Sequence, residues 1–213
     1  MTIEFKPLSD ALGAEVIGVD VADTHSDETI AEIRDGWLRH NILLFRGQDL
    51  TVERQSAFTR RFGEFKISPQ SGPRNPENPE VICFSNIKVD GKDIGGRPDR
   101  SFGDAWHSDQ SFMAEPAGGS YFYAKEVPEK GGDDTWYANL TKAYDALSDN
   151  MKSKLVGLRW TLNNVERTKR HAPAYKTTTK EGEKKLPDVT HPFVRTHPET
   201  GQKVLFVGVL DTR

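Results

Sequence analysis

AWHSDQSF, residues 105–112, sets a histidine and an aspartate two positions apart between two aromatic residues. In a β-strand, residues i and i+2 point to the same face. A strand beginning here would therefore hold the His107 imidazole beside the Asp109 carboxylate. Such a pair supplies two of the three ligands of the two-histidine, one-carboxylate facial triad. That triad binds a divalent first-row metal and leaves coordination positions open for chemistry. The plainer alternative is a histidine and an aspartate sharing a hydrogen bond at a strand end.

The same three letters occur at His25-Ser26-Asp27, inside DTHSDETI, residues 23–30. This copy precedes ETIAEIRDGWLRH, in which Ile30, Ile33, Trp37 and Leu38 recur at helical spacing. Ser26 or Thr24 can cap the first turn, and Asp27 and Glu28 place negative charge at the positive end of the helix dipole. His25 is then a solvated residue of the entry turn. The first copy is structural.

Working outward, AEVIGVDV (14–21) and NILLFRG (41–47) read as strands. TVERQSAFTRRFG (51–63) reads as a helix capped by Thr51 and stopped by Gly63. VICFSNI (81–87) reads as a strand carrying the single cysteine, Cys83, as a small buried hydrophobe. Residues 66–80 form a Pro-, Ser- and Asn-rich loop, and 88–105 a long glycine-rich one suited to a lid. GSYFYAKEV (119–127) reads as a strand with alternating aromatics, and NLTKAYDALSDNMKSKLVGL (139–158) as one or two helices. Leu140, Ala143, Tyr144 and Leu147 share one helical face. EGEKKLP (181–187) is a charged loop, and late strands are expected at HPFVRTH (191–197) and QKVLFVGVL (202–210). The class is α+β, with a strand-dominated core and helices outside.

A net charge of -3 with both signs interspersed argues against a nucleic-acid binder, which needs a basic excess. No apolar run reaches membrane-spanning length, and the N-terminus does not read as a signal peptide. One cysteine cannot form an internal disulfide, which suits the cytoplasm. Expected partners are a small-molecule substrate and, when full length, further copies of the chain, with no nucleic acid and no membrane.

WHSDQSF, then EPAGGSYFYAKEVPEKGGDDTWYANLTKAYDAL, then HPFVRTHPETGQKVLFV resemble successive motifs of the Fe(II)/α-ketoglutarate-dependent dioxygenases of the taurine and chlorophenoxyacetate dioxygenase (TauD/TfdA) family. LGAEVIGVDV, LRHNILLFRGQDLT and RRFGEF extend the likeness over nearly the whole chain. The resemblance implies one domain spanning 1–213, with a double-stranded β-helix (jelly-roll) core and flanking helices. It also implies Fe(II), with α-ketoglutarate and O2 as cosubstrates, and His107 and Asp109 as the first two iron ligands.

The family's Gly-Gly-Asp-Thr motif supplies a threonine that binds the cosubstrate carboxylate. Here it reads Gly131-Gly132-Asp133-Asp134-Thr135, one residue longer. Thr135 is preferred over Asp134, because a hydroxyl donates to an anion and an ionised carboxylate cannot. Substrate-pocket positions implied by the family are Ser68, Ser71, Gly103 and Asn164. Ser68, Ser71 and Gly103 replace residues that bind the sulfonate in the taurine enzyme, so taurine is not the expected substrate.

The family's distal iron-binding His and the Arg that pairs with α-ketoglutarate lie in C-terminal strands. The expectation is that this chain is C-terminally incomplete and lacks both. Of the remaining late histidines, His191 and His197 precede proline, and His171 lies in a polar loop. None is expected to be a ligand. The implied activity is hydroxylation of a small organic, anionic substrate with release of succinate and CO2. The rivals are an inactive truncated jelly roll that binds a metal or ligand without turnover, and a cupin-like or zinc-dependent hydrolase.

Overall fold

The computed structural model describes residues 2–65, 75, 78–85, 88–89, 91–93, 106–127, 129, 134–163 and 187–208. The chain forms two compact units. One comprises Met1–Gly63, Gly119–Lys152 and Thr196–Leu205, the other Glu64–Gly118, Ser153–Arg195 and Phe206–Arg213.

In the first unit, β1 (Glu4–Pro7) runs antiparallel to β2 (Ala14–Ile17), with Glu4 opposite Ile17 and Pro7 opposite Ala14. The short β3 (Leu43–Leu44) adds in parallel to β2. Between β2 and β3 runs helix α1 (Asp27–His40), whose start is set by chemistry the sequence displays. Ser26 accepts from the Thr29 amide at 3.3 Å, satisfying an amide that has no partner within the helix. Asp27 and Glu28 occupy the first turn and Arg39 and His40 the last, complementing the helix dipole at both ends. Asn41, at a φ of 66°, ends the helix.

Helix α2 (Val52–Arg60) begins the same way, with Thr51 accepting from the Arg54 amide at 3.3 Å. The buried faces of these elements meet in a core of Ile3, Val16, Val19, Val21, Ile30, Ile33, Leu50 and Phe58. Tyr121 and Tyr123 pack against this core. The Tyr123 hydroxyl donates to the Gln48 carbonyl at 3.1 Å and accepts from the Leu50 amide at 3.3 Å. Burial, and then the neighbouring Tyr123, push the Tyr121 hydroxyl up to about 12.

Two glycines allow aromatic rings to approach closely in this unit. A Cβ at Gly36, on the buried face of α1, would lie 2.1 Å from Phe5 Cε1. One at Gly119 would lie 2.3 Å from Trp37 Cζ2. The α1 backbone at 36 thus makes room for one ring, while the next residue sends its own ring against another glycine.

Helices α3 (Leu140–Asp145) and α4 (Asp149–Leu155) resolve the 139–158 stretch into two. Asn139 caps α3 by accepting from the Lys142 amide at 3.0 Å, and its own amide group donates to the Ala11 carbonyl at 2.9 Å. Leu140, Ala143, Tyr144 and Leu147 are all half-buried, as one shared helical face requires.

In the second unit, β4 (Lys88–Val89) and β5 (Lys92–Asp93) form a short hairpin. The glycine-rich segment from 88 onward therefore opens with regular structure where an unbroken loop was expected. Strand β6 (Arg159–Leu162) pairs antiparallel with β7 (Val189–Pro192), with Trp160 opposite His191 and Leu162 opposite Val189. Those four residues are buried, while Arg159, Thr161 and Thr190 are exposed, so the pair shows the two-residue alternation of a sheet with one covered face. Trp160, Leu162 and Phe206 form the core here, with Phe193 packed against it. The Trp160 indole N–H donates to the Phe206 carbonyl at 2.7 Å, which satisfies a polar group buried with the ring.

Strands β8 (Val194–Thr196) and β9 (Lys203–Leu205) make the last two-stranded sheet. The observed class is a mixture of helices and small sheets.

Three strand expectations require correction. Residues 106–112 are open coil and then turn, and 119–127 carry no ladder. Of 81–85, only Ile82 makes a bridge. The 119–127 segment nevertheless keeps the period of two, with Tyr121 and Tyr123 inward and Ser120, Phe122 and Ala124 exposed. Side-chain burial alone imposes the alternation there; a ladder also needs a neighbouring backbone. The loops at 66–74, 94–105 and 181–186 lie outside the described residues.

Candidate functional site

His107 and Asp109 are brought together by a turn. The Ser111 amide donates to the Ser108 carbonyl at 3.2 Å and the Met113 amide to the Gln110 carbonyl at 2.9 Å. Gln110 has a φ of 53°, the left-handed conformation that folds the chain back over so few residues. The result sets His107 Nε2 and Asp109 Oδ1 3.4 Å apart, with side chains 38% and 65% exposed. The expected juxtaposition holds although the expected strand does not.

An imidazole nitrogen and a carboxylate oxygen at this separation suit adjacent corners of a metal's coordination sphere. Two ligands at right angles, each about 2.1 Å from an octahedral ion, lie about 3 Å apart. One imidazole and one carboxylate make up two of the three protein donors of a two-histidine, one-carboxylate facial triad. Among the described residues, no group of three or more His, Cys, Asp or Glu side chains gathers as a metal site.

Beyond the turn the chain becomes buried. Ser111 and Phe112 are buried, and His191 Nε2 lies 2.8 Å from the Ser111 carbonyl oxygen. A carbonyl only accepts, so Nε2 carries the hydrogen and donates. His191 sits opposite Trp160 at a ring distance of 5.6 Å and edge-on to Phe206 at 5.2 Å. Desolvation lowers its pKa, aided by Arg195 and Arg159, against the pull of the Ser111 and Met113 backbone. His191 belongs to a strand and to this core.

The other copy of the tripeptide is arranged differently. His25 Nε2 lies 2.8 Å from the Asp20 carbonyl oxygen, and its ring meets Phe58 edge-on at 5.9 Å. Ser26 caps α1. Asp27 pairs with Arg61 at 2.5 Å, and the Arg61 guanidinium also donates to the His25 carbonyl at 2.8 Å. Each residue has an identifiable structural task.

Thr135 and Asp134 are both exposed, in an irregular stretch before α3. His197 Nδ1 accepts from the amides of Glu199 and Thr200, both at 3.3 Å, closing the turn into β9. Cys83 is a half-buried free thiol, less enclosed than the small core residue expected. Ser68, Ser71, Gly103, Asn164 and His171 lie outside the described residues.

The sequence places His191 in a late strand; what it does not announce is the inward, buried position opposite Trp160. The signal was present as two short alternations: Val189 and His191 in one strand, Trp160 and Leu162 in its partner.

The profile of the "Taurine catabolism dioxygenase TauD, TfdA family" matches residues 4–213. The chain is 32% identical to the α-ketoglutarate-dependent 2,4-dichlorophenoxyacetate dioxygenase of Cupriavidus pinatubonensis, covering 98% of this chain and 74% of that one. It is 33% identical to the (S)-phenoxypropionate/α-ketoglutarate-dioxygenase of Sphingobium herbicidovorans, over 96% of this chain and 70% of the relative. Among solved structures, AAD-2 in complex with Mn(II) and N-oxalylglycine superposes with a TM-score of 0.72 at 26% identity, covering 97% of this chain and 71% of that one. A putative α-ketoglutarate-dependent taurine dioxygenase from Burkholderia xenovorans gives 0.68 at 27% identity, covering 100% and 67%.

The fold and its likenesses define a non-haem Fe(II)- and α-ketoglutarate-dependent dioxygenase. The chain belongs to the TauD/TfdA family.

Proposed function

We propose that His107 and Asp109 hold the iron and that the substrate is a small organic anion, hydroxylated at a C–H bond. The observation that carries this reading is the 3.4 Å approach of an imidazole nitrogen to a carboxylate oxygen in a turn anchored by buried residues. When bound, iron with α-ketoglutarate and O2 supplies the oxidising power, coupling release of succinate and CO2 to oxidation of the substrate.

The protein's own part is placement. The turn fixes two donors before metal arrives, so little ordering remains to be done on binding. The Thr135 hydroxyl donates to the cosubstrate carboxylate, a role Asp134 cannot fill while ionised. By likeness to the family, Ser68, Ser71, Gly103 and Asn164 are the positions proposed to contact the substrate. Residues 1–213 belong to a single jelly-roll dioxygenase domain, cytoplasmic and, when full length, assembling with its own copies.

The relatives' names motivate the substrate class, since phenoxyacetate and phenoxypropionate both carry a carboxylate. The test is to supply Fe(II), ascorbate and α-ketoglutarate and to measure succinate against a panel of aryloxy-carboxylates, sulfonates and neutral analogues. Succinate stimulated by the anions and not by the neutral analogues is the expected result; the reverse order rejects the class. Thr135→Val should raise the α-ketoglutarate requirement at least tenfold, because a charge-assisted hydrogen bond contributes about 1.5–3 kcal/mol. An unchanged requirement there, with a large change in Asp134→Ala, transfers the role to Asp134.

A further inference from the structure

We propose that His191 is a positioning residue for the iron site: it sets the geometry of the His107–Asp109 turn through the Ser111 carbonyl. This rests on the assignment of His107 and Asp109 as ligands.

Three observations carry it. The His191 side chain is enclosed between Trp160 and Phe206, at ring distances of 5.6 and 5.2 Å, so its orientation is fixed by packing. Its Nε2–H meets the Ser111 carbonyl at 2.8 Å, and both residues are buried, at 4% exposure each. Ser111 stands two residues beyond Asp109, and its amide closes the turn onto the Ser108 carbonyl at 3.2 Å. The peptide carbonyl that His191 grips thus belongs to the residue whose N–H shapes the ligand turn. The hydrogen bond to the Ser111 carbonyl thus ties the ligand turn to a sheet core.

Burial favours the neutral imidazole, with Arg195 and Arg159 adding to the effect. A neutral ring with its hydrogen on Nε2 can donate to Ser111 and keeps Nδ1 unprotonated. The arrangement is that of an outer partner which orients a ligand-bearing segment. Loss of such partners costs about 10–100-fold in metal affinity.

The experiment compares anaerobic Fe(II) affinity, by equilibrium dialysis, of the chain and of His191→Gln, His191→Leu and His107→Ala. Glutamine retains an N–H donor at similar reach; leucine fills the space without one. Expected are a His191→Gln affinity within about threefold of the parent and a 10–100-fold loss in His191→Leu, with native near-ultraviolet dichroism in both. A His191→Leu chain that binds like the parent, or a glutamine variant as impaired as the leucine one, overturns the proposal.

If His191→Leu does not fold, 15N-histidine spectra of the unsubstituted chain decide with His191→Gln. An Nε2–H tautomer and retained affinity in the glutamine variant uphold the proposal. An Nδ1–H tautomer, or lost affinity there, rejects it. His107→Ala separates the two readings: parent-like binding in that variant removes the ligand assignment itself, whereas lost binding there with parent-like His191→Leu removes only the positioning role.

Discussion

His25-Ser26-Asp27 and His107-Ser108-Asp109 have the same letters and different arrangements. In the first, the imidazole faces the Asp20 carbonyl, the hydroxyl caps α1 and the carboxylate meets Arg61. In the second, imidazole and carboxylate turn toward each other at 3.4 Å, and the next residues, Ser111 and Phe112, are buried. The difference lies in the backbone that each tripeptide leads into. A helix start consumes side-chain oxygens as caps, because its first amides lack partners. A tight turn satisfies its own amides through the backbone, at Ser108 and Gln110, and leaves its side chains to converge.

The largest expected effect tests that contrast directly. His107→Ala and Asp109→Ala should each abolish the visible absorption band that forms when Fe(II) and α-ketoglutarate are added without oxygen, while His25→Ala retains it. Loss of the band in the His25 variant with retention in the His107 variant would reverse the two roles.

Stability should show the opposite asymmetry. Ser26→Ala removes the α1 cap and should cost about 1 kcal/mol in urea unfolding. Ser108→Ala, in a turn closed by the Ser108 backbone carbonyl, should cost well under half of that. Equal losses would mean that the second serine side chain also closes its turn.

A smaller effect belongs to Arg61. Its partner Asp27 is 97% exposed, so Arg61→Ala should cost about 0.5 kcal/mol or less through the ion pair, and less still at high salt. A salt-independent loss would point instead to the guanidinium's bond with the His25 carbonyl.

The smallest is a pH effect at the same helix start. The Glu28 backbone amide, and then the Ser26 hydroxyl, hold the Glu28 carboxyl below its ordinary value. A depressed folded pKa gives stability that is present above the unfolded value and fades as pH falls through the folded one. Unfolding midpoints should therefore drop slightly more steeply on acidification below the ordinary carboxylate range in the parent than in Ser26→Ala. Parallel profiles would show that Ser26 has no part in the shift.

The local signals were legible in the sequence. Capping residues Ser26 and Thr51 mark both long helices within a residue, because a cap is chemistry between neighbours. Residues 119–127 form no ladder despite their alternation, and 106–112 no strand, since strand formation depends on a distant backbone that periodicity does not reveal. The approach of His107 to Asp109 is legible all the same, because the spacing of two allows both a shared strand face and a tight turn to bring the side chains together. The proline after His191 hides its inward place from the sequence. Yet Pro192 lies at the end of β7, where the ring does not interrupt the strand, and His191 keeps its inward place opposite Trp160.

Gly36 and Gly119 carry a consequence for how this unit can change. Replacing a mid-helix glycine with alanine ordinarily stabilises by about 0.5–1 kcal/mol. At Gly36 the added methyl would meet the Phe5 ring at 2.1 Å, so the usual improvement becomes a clash. Gly36 is therefore coupled to Phe5, and Gly119 to Trp37: a side chain at either glycine fits only after the facing ring has shrunk or moved. With 36 and 37 adjacent on α1, two such locks share one turn of helix, and the segments at Phe5 and Gly119 answer to the same few ångströms of backbone.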